Sequence, residues 1–219
     1  GEFLTNARID GQHWLQEWKA LQAASKHQEL KGLAARIELP ILKPVLESIV
    51  RRHGRVDQLI LCTTDQDETT SEPLRNQDTL YMAELMELWL NAHPALKGKN
   101  RLGKVKRMVL KGLNPSLYDQ AFAEYEARMN QILQTEEWDV CSLCLSGGTA
   151  ACNMALLFHG LRIFGNRVEV IYKPKKSPPF LLHIGHQLHR SMQNRTLQAL
   201  LEVCDFAAAA RLMEGSSYP

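Results

Sequence analysis

A short polar turn with two adjacent glycines, Ser146-Gly147-Gly148-Thr149, stands between an apolar strand-like run and an apolar helix-like run. Because glycine has no Cβ, the backbone of such a turn can come within contact distance of a ligand. The N–H groups in the first turn of the following helix, with the positive end of its dipole, favour a bound anion. Ser146 and Thr149 add hydroxyl donors. The segment therefore predicts a site for phosphate or another anion.

A second polar cluster, Thr63-Thr64-Asp65-Gln66, follows another apolar run. A glutamine side chain donates and accepts at once, so that it can read the edge of an adenine. Further carboxylates follow at positions 67, 68 and 72, and they oppose a phosphate placed directly against this loop. The cluster suits bases or ribose hydroxyls better. The alternative interpretation is a polar loop in which Asp65 caps a turn.

The signatures of several enzyme classes are missing from the sequence. No Gly-x-Gly-x-x-Gly motif follows a strand-like run, which argues against a dinucleotide-dependent dehydrogenase. Gly98-Lys99-Asn100 lacks the hydroxyl residue and the preceding loop of a nucleoside triphosphate site. The run from Cys144 to Gly148 has Cys where the nucleophile turn of a serine hydrolase has its first glycine. No catalytic residue is predicted.

Two sets of metal-ligand residue types are interpreted as structural. Cys141-x-x-Cys144 lies in a strand-like run, where positions three apart point to opposite faces. The histidines at 183, 186 and 189 have no clustered carboxylate nearby and fit a surface position better. We therefore predict no metal site and no cofactor.

The elements that must position these residues alternate regularly along the chain. Apolar and β-branched runs predict strands, and apolar residues at helical spacing predict helices between them. This alternation predicts an α/β fold: a doubly wound, mostly parallel Rossmann-like sheet with helices on both faces. In such a sheet ligands bind beyond the carboxyl ends of the strands, where both polar clusters would lie. The predicted strands cover residues 34–39, 57–63, 104–110, 139–145 and 167–172.

Helix boundaries are predicted from capping signals. Gly54 is placed to end a helix over 41–52, and Asp78 is a good N-cap for the helix that carries Leu80 and Leu90. Near the amino terminus, Trp14 and Trp18 lie one helical turn apart on a short amphipathic helix. We interpret this stripe as ordinary packing, with a dimer contact or a connection to an effector as the alternative.

Length and charge limit the organisation of the chain. With 219 residues and a net charge of +2, the composition is that of a globular protein with one sizeable core. We expect a helical linker or appendage over 1–32, the main domain with a C-terminal helical segment over 33–214, and a loose tail over 215–219. Seven Lys or Arg residues between Lys97 and Lys111 indicate either a solvated strand edge or a basic wall beside an anionic ligand.

The cellular setting is inferred from the cysteines and from the apolar runs. Five cysteines, mostly within apolar runs, suggest reduced thiols in the cytoplasm. No run approaches the roughly 20 apolar residues of a membrane span, and no signal peptide is recognisable. The first residues, Gly1-Glu2-Phe3, are interpreted as vector-derived, so we expect a natural segment upstream.

Three motifs together resemble the CRISPR-associated Rossmann fold, or CARF, domain. They are Thr64-Asp65-Gln66 after one strand, Asp78-Thr79-Leu80 at the start of the next helix, and Leu145-Ser146-Gly147-Gly148-Thr149. The stretch over residues 197–209 resembles the segment that follows this domain, and the resemblance covers most of 34–210. It implies a homodimeric sensor of cyclic oligoadenylate, the second messenger of type III CRISPR antiviral defence, with one ring lying across the two-fold axis.

The resemblance also implies roles for single residues. Backbone N–H groups of the glycine turn would hold phosphate, and Asn153 would reach ribose or base or stabilise the helix start. Many relatives carry Lys or Arg after the turn, whereas Ala150 and Ala151 follow it here, which weakens the case for cleavage of the ligand. Positive charge would then come from Lys104, Lys106 and Arg107 or from Lys173, Lys175 and Lys176. The implied ligand-binding set is Thr63, Thr64, Asp65, Gln66, Ser146, Gly147, Gly148, Thr149 and Asn153.

The expected function is therefore sensing of a cyclic oligoadenylate, with cyclic tetra-adenylate as the preferred ring. The signal would pass to an effector absent from this chain, and a membrane segment upstream is the leading candidate. The alternative is a metal-independent ring nuclease that cleaves the messenger. Without a helix-turn-helix module, no direct DNA binding is expected. The chain itself is expected to be cytoplasmic, and only a missing segment would tether it to the inner membrane.

Overall fold

The computed structural model describes residues 7–92, 101–133 and 138–214. The chain divides into two compact units, residues 1–124 and 125–219. Two residues of the predicted basic wall, Lys97 and Lys99, lie outside the described residues, as does the predicted tail over 215–219. The predicted boundary between residues 32 and 33 stays a prediction.

The first unit is built around a pair of parallel strands. Strand β1 runs beside β2, with Val56 opposite Leu102 at one end and Asp65 opposite Lys111 at the other. Its elements are α1 (Ala7–Ala23), α2 (His27–Arg36), α3 (Leu42–His53), β1 (Val56–Asp65), α4 (Glu72–Arg75), α5 (Leu80–Ala92) and β2 (Leu102–Lys111). Helix α6 (Tyr118–Leu133) begins in this unit and continues into the second.

The core of the first unit explains the aromatic stripe near the amino terminus. Trp18 is 2% exposed and belongs to one buried apolar cluster with Leu15, Leu46, Leu85 and Leu90. Helix α1 therefore packs against α5 through its apolar stripe, as the packing interpretation predicts.

Two predictions for this unit are wrong in detail. Residues 34–39 do not form a strand, since α2 extends to Arg36 and extended chain without sheet pairing follows. The Ala34 carbonyl near the end of α2 accepts a hydrogen bond of 2.9 Å from the indole of Trp89. Helix α5 begins at Leu80, and the carbonyl of Thr79 accepts from Ala83 N at 2.8 Å. Thr79, rather than Asp78, therefore occupies the capping position.

Three strands lie among the described residues of the second unit. Its elements are β3 (Cys141–Cys144), α7 (Ala150–Phe164), a 3₁₀ turn (Gly165–Arg167), β4 (Val168–Tyr172), β5 (Phe180–Leu182), α8 (Ile184–Glu202) and α9 (Phe206–Glu214). Strands β3 and β4 are parallel and joined through α7, whereas the short β5 pairs antiparallel with β4. Parallel strands linked through helices confirm the predicted α/β class.

No helix among the residues that the structure describes is both long and apolar enough to cross a membrane.

Candidate functional site

The glycine turn joins β3 to α7, the strand-turn-helix order that its sequence predicts. Thr149 is the N-cap of α7, and its hydroxyl oxygen accepts a hydrogen bond of 3.2 Å from Cys152 N. Gly148 has a φ of +78°, a left-handed conformation that glycine adopts without the strain of a Cβ. Gly147 and Gly148 are both exposed. The turn therefore presents glycine backbone to solvent at the positive end of a helix of 15 residues.

The space around this turn is open. A Cβ at Gly147 would meet no heavy atom within 4 Å, and one at Gly148 would meet Asn153 Oδ1 first, at 3.7 Å. A ligand can consequently approach the backbone directly. An anion here would face the N–H groups of the first helical turn, which lack carbonyl partners within the helix.

Two predicted site side chains brace the turn. The amide of Asn153 donates to the Leu145 carbonyl at 3.3 Å. The hydroxyl oxygen of Ser146 accepts from the backbone N–H of Lys173. Since a serine hydroxyl also carries a hydrogen, Ser146 can still donate to a ligand while it holds the end of β4.

Positive charge is concentrated on the segment that leaves β4. Strands β3 and β4 are parallel, so both end at the same edge of the sheet, where Lys173 contacts Ser146. Lys173 is half-buried, and its Nζ donates to the Pro174 carbonyl at 2.6 Å. Lys175 and Lys176 follow within three residues and are exposed. These lysines add to the helix dipole, so this edge of the second unit favours an anion.

The other predicted source of charge is partly neutralised. Arg107 on β2 lies 3.1 Å from a carboxylate oxygen of Glu84 and 2.9 Å from one of Glu87. Lys19 and Arg107 both hold the pKa of Glu84 below its usual value, with the Lys19 hydrogen bond as the largest cause. Arg107 is therefore engaged within its own unit, and the lysines after β4 are the better candidates for ligand contact.

The polar cluster of residues 63–66, at the carboxyl end of β1, is held from inside the first unit. Thr63 is 2% exposed, and its hydroxyl oxygen lies 2.9 Å from that of Thr79. The Thr79 hydroxyl also accepts from Thr64 N at 3.2 Å. Thr64 and Asp65 are half-buried and so retain a surface. Thr63 thus braces the strand end, while Thr64 and Asp65 are the members of the cluster that a ligand can touch.

Gln66 is tied down more strongly than its sequence position suggests. It is 6% exposed, and its backbone N–H donates to Asp78 Oδ2 at 2.9 Å. Its side-chain Nε2 donates to the Leu74 carbonyl at 2.9 Å and to Asp78 Oδ1 at 3.2 Å. Both amide hydrogens are used within the protein, and Oε1 is buried without a hydrogen-bond partner. Because Oε1 is buried as well, the side-chain amide of Gln66 presents no hydrogen-bonding group to a base at the surface.

The predicted site residues form two groups. Thr63, Thr64, Asp65 and Gln66 lie together at the carboxyl end of β1 in the first unit. Ser146, Gly147, Gly148, Thr149 and Asn153 lie together between β3 and α7 in the second unit. The structure adds two residues whose roles sequence reasoning missed. Asp78 was interpreted as a helix cap, and the contact of Lys173 with Ser146 spans 27 residues without any local signal.

Ionisable side chains near the turn show ordinary structural roles. Burial raises the pKa of the Cys152 thiol, and hydrogen bonds with Thr149 and Tyr125 only partly offset this effect. A thiol of that kind is a poor nucleophile. Among the described parts of the chain, no three His, Cys, Asp or Glu side chains converge as metal ligands would.

Comparison with known proteins identifies the fold. No protein-family model matches the sequence, and no curated protein has a significantly similar sequence. Among solved structures, the chain is similar to Enterococcus italicus Csm6 bound to cyclic hexa-2'-fluoro-hexa-dAMP, with a TM-score of 0.54 and 12% sequence identity. The match covers 78% of this chain and 44% of Csm6, so the chain spans less than half of that protein. The likeness shows a CARF-like, Rossmann-type α/β fold, as the resemblance predicts.

Proposed function

We propose that this chain binds a cyclic oligoadenylate in type III CRISPR defence, with one ring shared by two copies of the chain. The observation that carries the proposal is the open glycine turn before α7, with lysines on the neighbouring strand end, in a fold shared with Csm6. Sheets of this class bind ligands beyond the carboxyl ends of their parallel strands, and the candidate anion site lies at such an end.

The two polar groups suit the two chemical parts of such a ring. Each adenylate repeat carries a phosphate, which the turn and Lys173 can bind through N–H groups and positive charge. Each repeat also carries a ribose and an adenine, which can bond to hydroxyl and carboxylate groups such as those of Thr64 and Asp65. The acidic loop after β1 repels phosphate, and this repulsion favours placing the nucleoside part there.

The symmetry of the ligand supports a homodimer. A ring of four or six identical repeats has a two-fold axis, so two copies of one chain can make identical contacts with its halves. A ring of three repeats has no such axis and would leave one copy with fewer contacts. We therefore propose an even-numbered ring, with cyclic tetra-adenylate as the preferred ligand. The bound state would act on an effector outside these residues, without direct DNA binding.

Cleavage of the ring is the second candidate, and one observation favours it. The backbone N–H of Lys173 bonds to Ser146, so a lysine follows the strand end that meets the turn, although Ala150 and Ala151 follow the turn itself. Such a cation could stabilise charge that develops on a phosphate when a ribose hydroxyl attacks it. Retention of the intact ring supports the sensor, whereas linear products formed over many turnovers support the nuclease. Chromatography of labelled ring after incubation with the protein distinguishes them.

Calorimetric titration with cyclic tri-, tetra- and hexa-adenylate tests the binding proposal. We expect cyclic tetra-adenylate to bind with one ring per two chains, and linear tetra-adenylate to bind more weakly because it must lose more conformational freedom. Absence of binding to all three rings would reject the proposal.

A charge-reversal pair locates the phosphate contact. Lys176→Glu reverses an exposed charge on the segment after β4, three residues beyond Lys173, whereas Lys31→Glu makes the same change on the exposed surface of α2. We expect Lys176→Glu to weaken ring binding about ten-fold or more at low salt, with the loss shrinking as salt rises. Equal effects of the two variants would remove the segment after β4 from the site.

A further inference from the structure

The carboxylate of Asp78 joins three separate segments of the first unit. Asp78 is fully buried, at 0% exposure. Its Oδ2 accepts from Gln66 N at 2.9 Å and from Arg8 Nη1 at 3.2 Å, while its Oδ1 accepts from Gln66 Nε2. One side chain at the start of α5 thus holds both the segment after β1 and the first turn of α1.

Arg8 is itself fixed to the chain around Asp78. Its backbone N–H donates to the Asn76 carbonyl at 3.0 Å, and its guanidinium lies 5.9 Å from the centre of the Tyr81 ring. One turn further along α1, a Cβ at Gly11 would lie 2.7 Å from Met82 N. Helix α1 therefore touches the backbone of α5 directly, and its first turn cannot shift without disturbing residues 76–82.

Residues 63–66, at the carboxyl end of β1, depend on the same short stretch at the start of α5. Thr63 and Thr64 bond to the Thr79 hydroxyl, and Gln66 bonds to Asp78 through both its backbone and its side chain. A buried carboxylate needs hydrogen bonds and a cation, because burial without them is strongly unfavourable. If Gln66 moves, Asp78 must either follow it or lose two donors. A change on one side of this carboxylate is therefore felt on the other side.

We propose that Asp78 couples residues 63–66 to helix α1 through Arg8, so that α1 responds when a ligand occupies that segment. Asp78 and Arg8 are positioning residues that need not touch the ligand. The coupling rests on the contacts above, and only the nature of the ligand rests on the proposed function.

A ligand-independent measurement tests the coupling first. Arg8→Met removes the cation but keeps most of the apolar stem, whereas Lys19→Met removes another link between α1 and α5, the 2.6 Å contact of Lys19 with Glu84. Lys19→Met is the control because the ion pair of Lys19 with Glu84 does not involve residues 63–66 or Asp78. Hydrogen exchange at the Gln66 amide then reports how often its bond to Asp78 opens.

We expect hydrogen exchange at the Gln66 amide to become roughly ten-fold faster in Arg8→Met, because that variant loses about one charge-assisted hydrogen bond. In Lys19→Met the exchange rate should stay within about two-fold of the wild-type rate. Arg8→Lys, which keeps the charge, should restore part of the protection. Exchange at Gln66 that is unchanged in Arg8→Met, or equally raised in both methionine variants, would overturn the coupling.

The same variants test the response to ligand. With saturating cyclic tetra-adenylate, exchange in α1 should change in the wild-type protein and in Lys19→Met, and the change should be lost in Arg8→Met. A wild-type α1 that does not respond to bound ring contradicts the proposal. If no ring binds at all, the proposed function fails, and the measurement at Gln66 still decides the coupling.

Discussion

Substitution of Gly148 by alanine tests the conformation of the glycine turn. The φ of +78° forces any L-residue into the left-handed region, at a cost of about 1–2 kcal/mol. The nearest heavy atom to the new Cβ would be Asn153 Oδ1 at 3.7 Å, an ordinary contact, so no steric term adds to this cost. We therefore expect Gly148→Ala to lower the free energy of unfolding by about 1–2 kcal/mol.

Gly147→Ala is the matched control, because Gly147 is adjacent, exposed and has no positive φ. Its Cβ would meet nothing within 4 Å, so alanine there should be neutral or stabilise by about 0.4–1 kcal/mol through the unfolded state. Urea unfolding followed by far-ultraviolet circular dichroism measures both variants. Gly148→Asn should fall between glycine and alanine, since asparagine tolerates this conformation better. Equal stability of the two alanine variants would refute the left-handed turn at Gly148.

Two further predictions concern the second unit. Thr149→Ala should lower the free energy of unfolding by about 1 kcal/mol in the same urea experiment, because Cys152 N loses its capping hydrogen bond. Thr149→Ser keeps a hydroxyl and should retain most of that stability. An equal loss in both variants would argue against capping. Burial, and to a lesser degree His186, lowers the pKa of His189 from its ordinary value of 6.5. The folded state therefore binds this proton less readily than the unfolded chain, and stability should fall as pH drops through 6.5. Between about pH 7.5 and pH 5.5, the melting temperature should decline less in His189→Gln than in the wild-type protein. The same dependence of melting temperature on pH in both proteins would contradict this prediction.

Most strands could be predicted because their signal is local. The runs that became β1 and β3 are nearly continuous in apolar and β-branched residues, as expected for strands covered on both faces. Residues 34–39 also contain apolar residues, but the first three of them form the last turn of α2, and Leu33 in the same helix is buried in the core. A short apolar run is ambiguous between the end of a helix and a strand, and tertiary packing decided between them.

The two halves of the candidate site were predictable to different degrees. The glycine turn depends on neighbours in sequence: Thr149 caps a residue three positions away, and Gly148 sets its own backbone angle. The role of Gln66 was harder to predict, because its partner Asp78 lies 12 residues away. The sequence predicts that the Gln66 side chain bonds to the edge of a base, whereas in the structure both of its amide hydrogens bond within the protein.

The sequence by itself determined the α/β class, the glycine turn and the cap of α7, because backbone freedom, capping and hydrophobic periodicity act over a few residues. Only the tertiary structure decided which polar groups meet across the chain. Arg8 reaches Asp78 over 70 residues, and Lys173 reaches Ser146 over 27. Such pairs form because packed helices and parallel strands bring distant backbone together, and no local pattern in the chain encodes that distance.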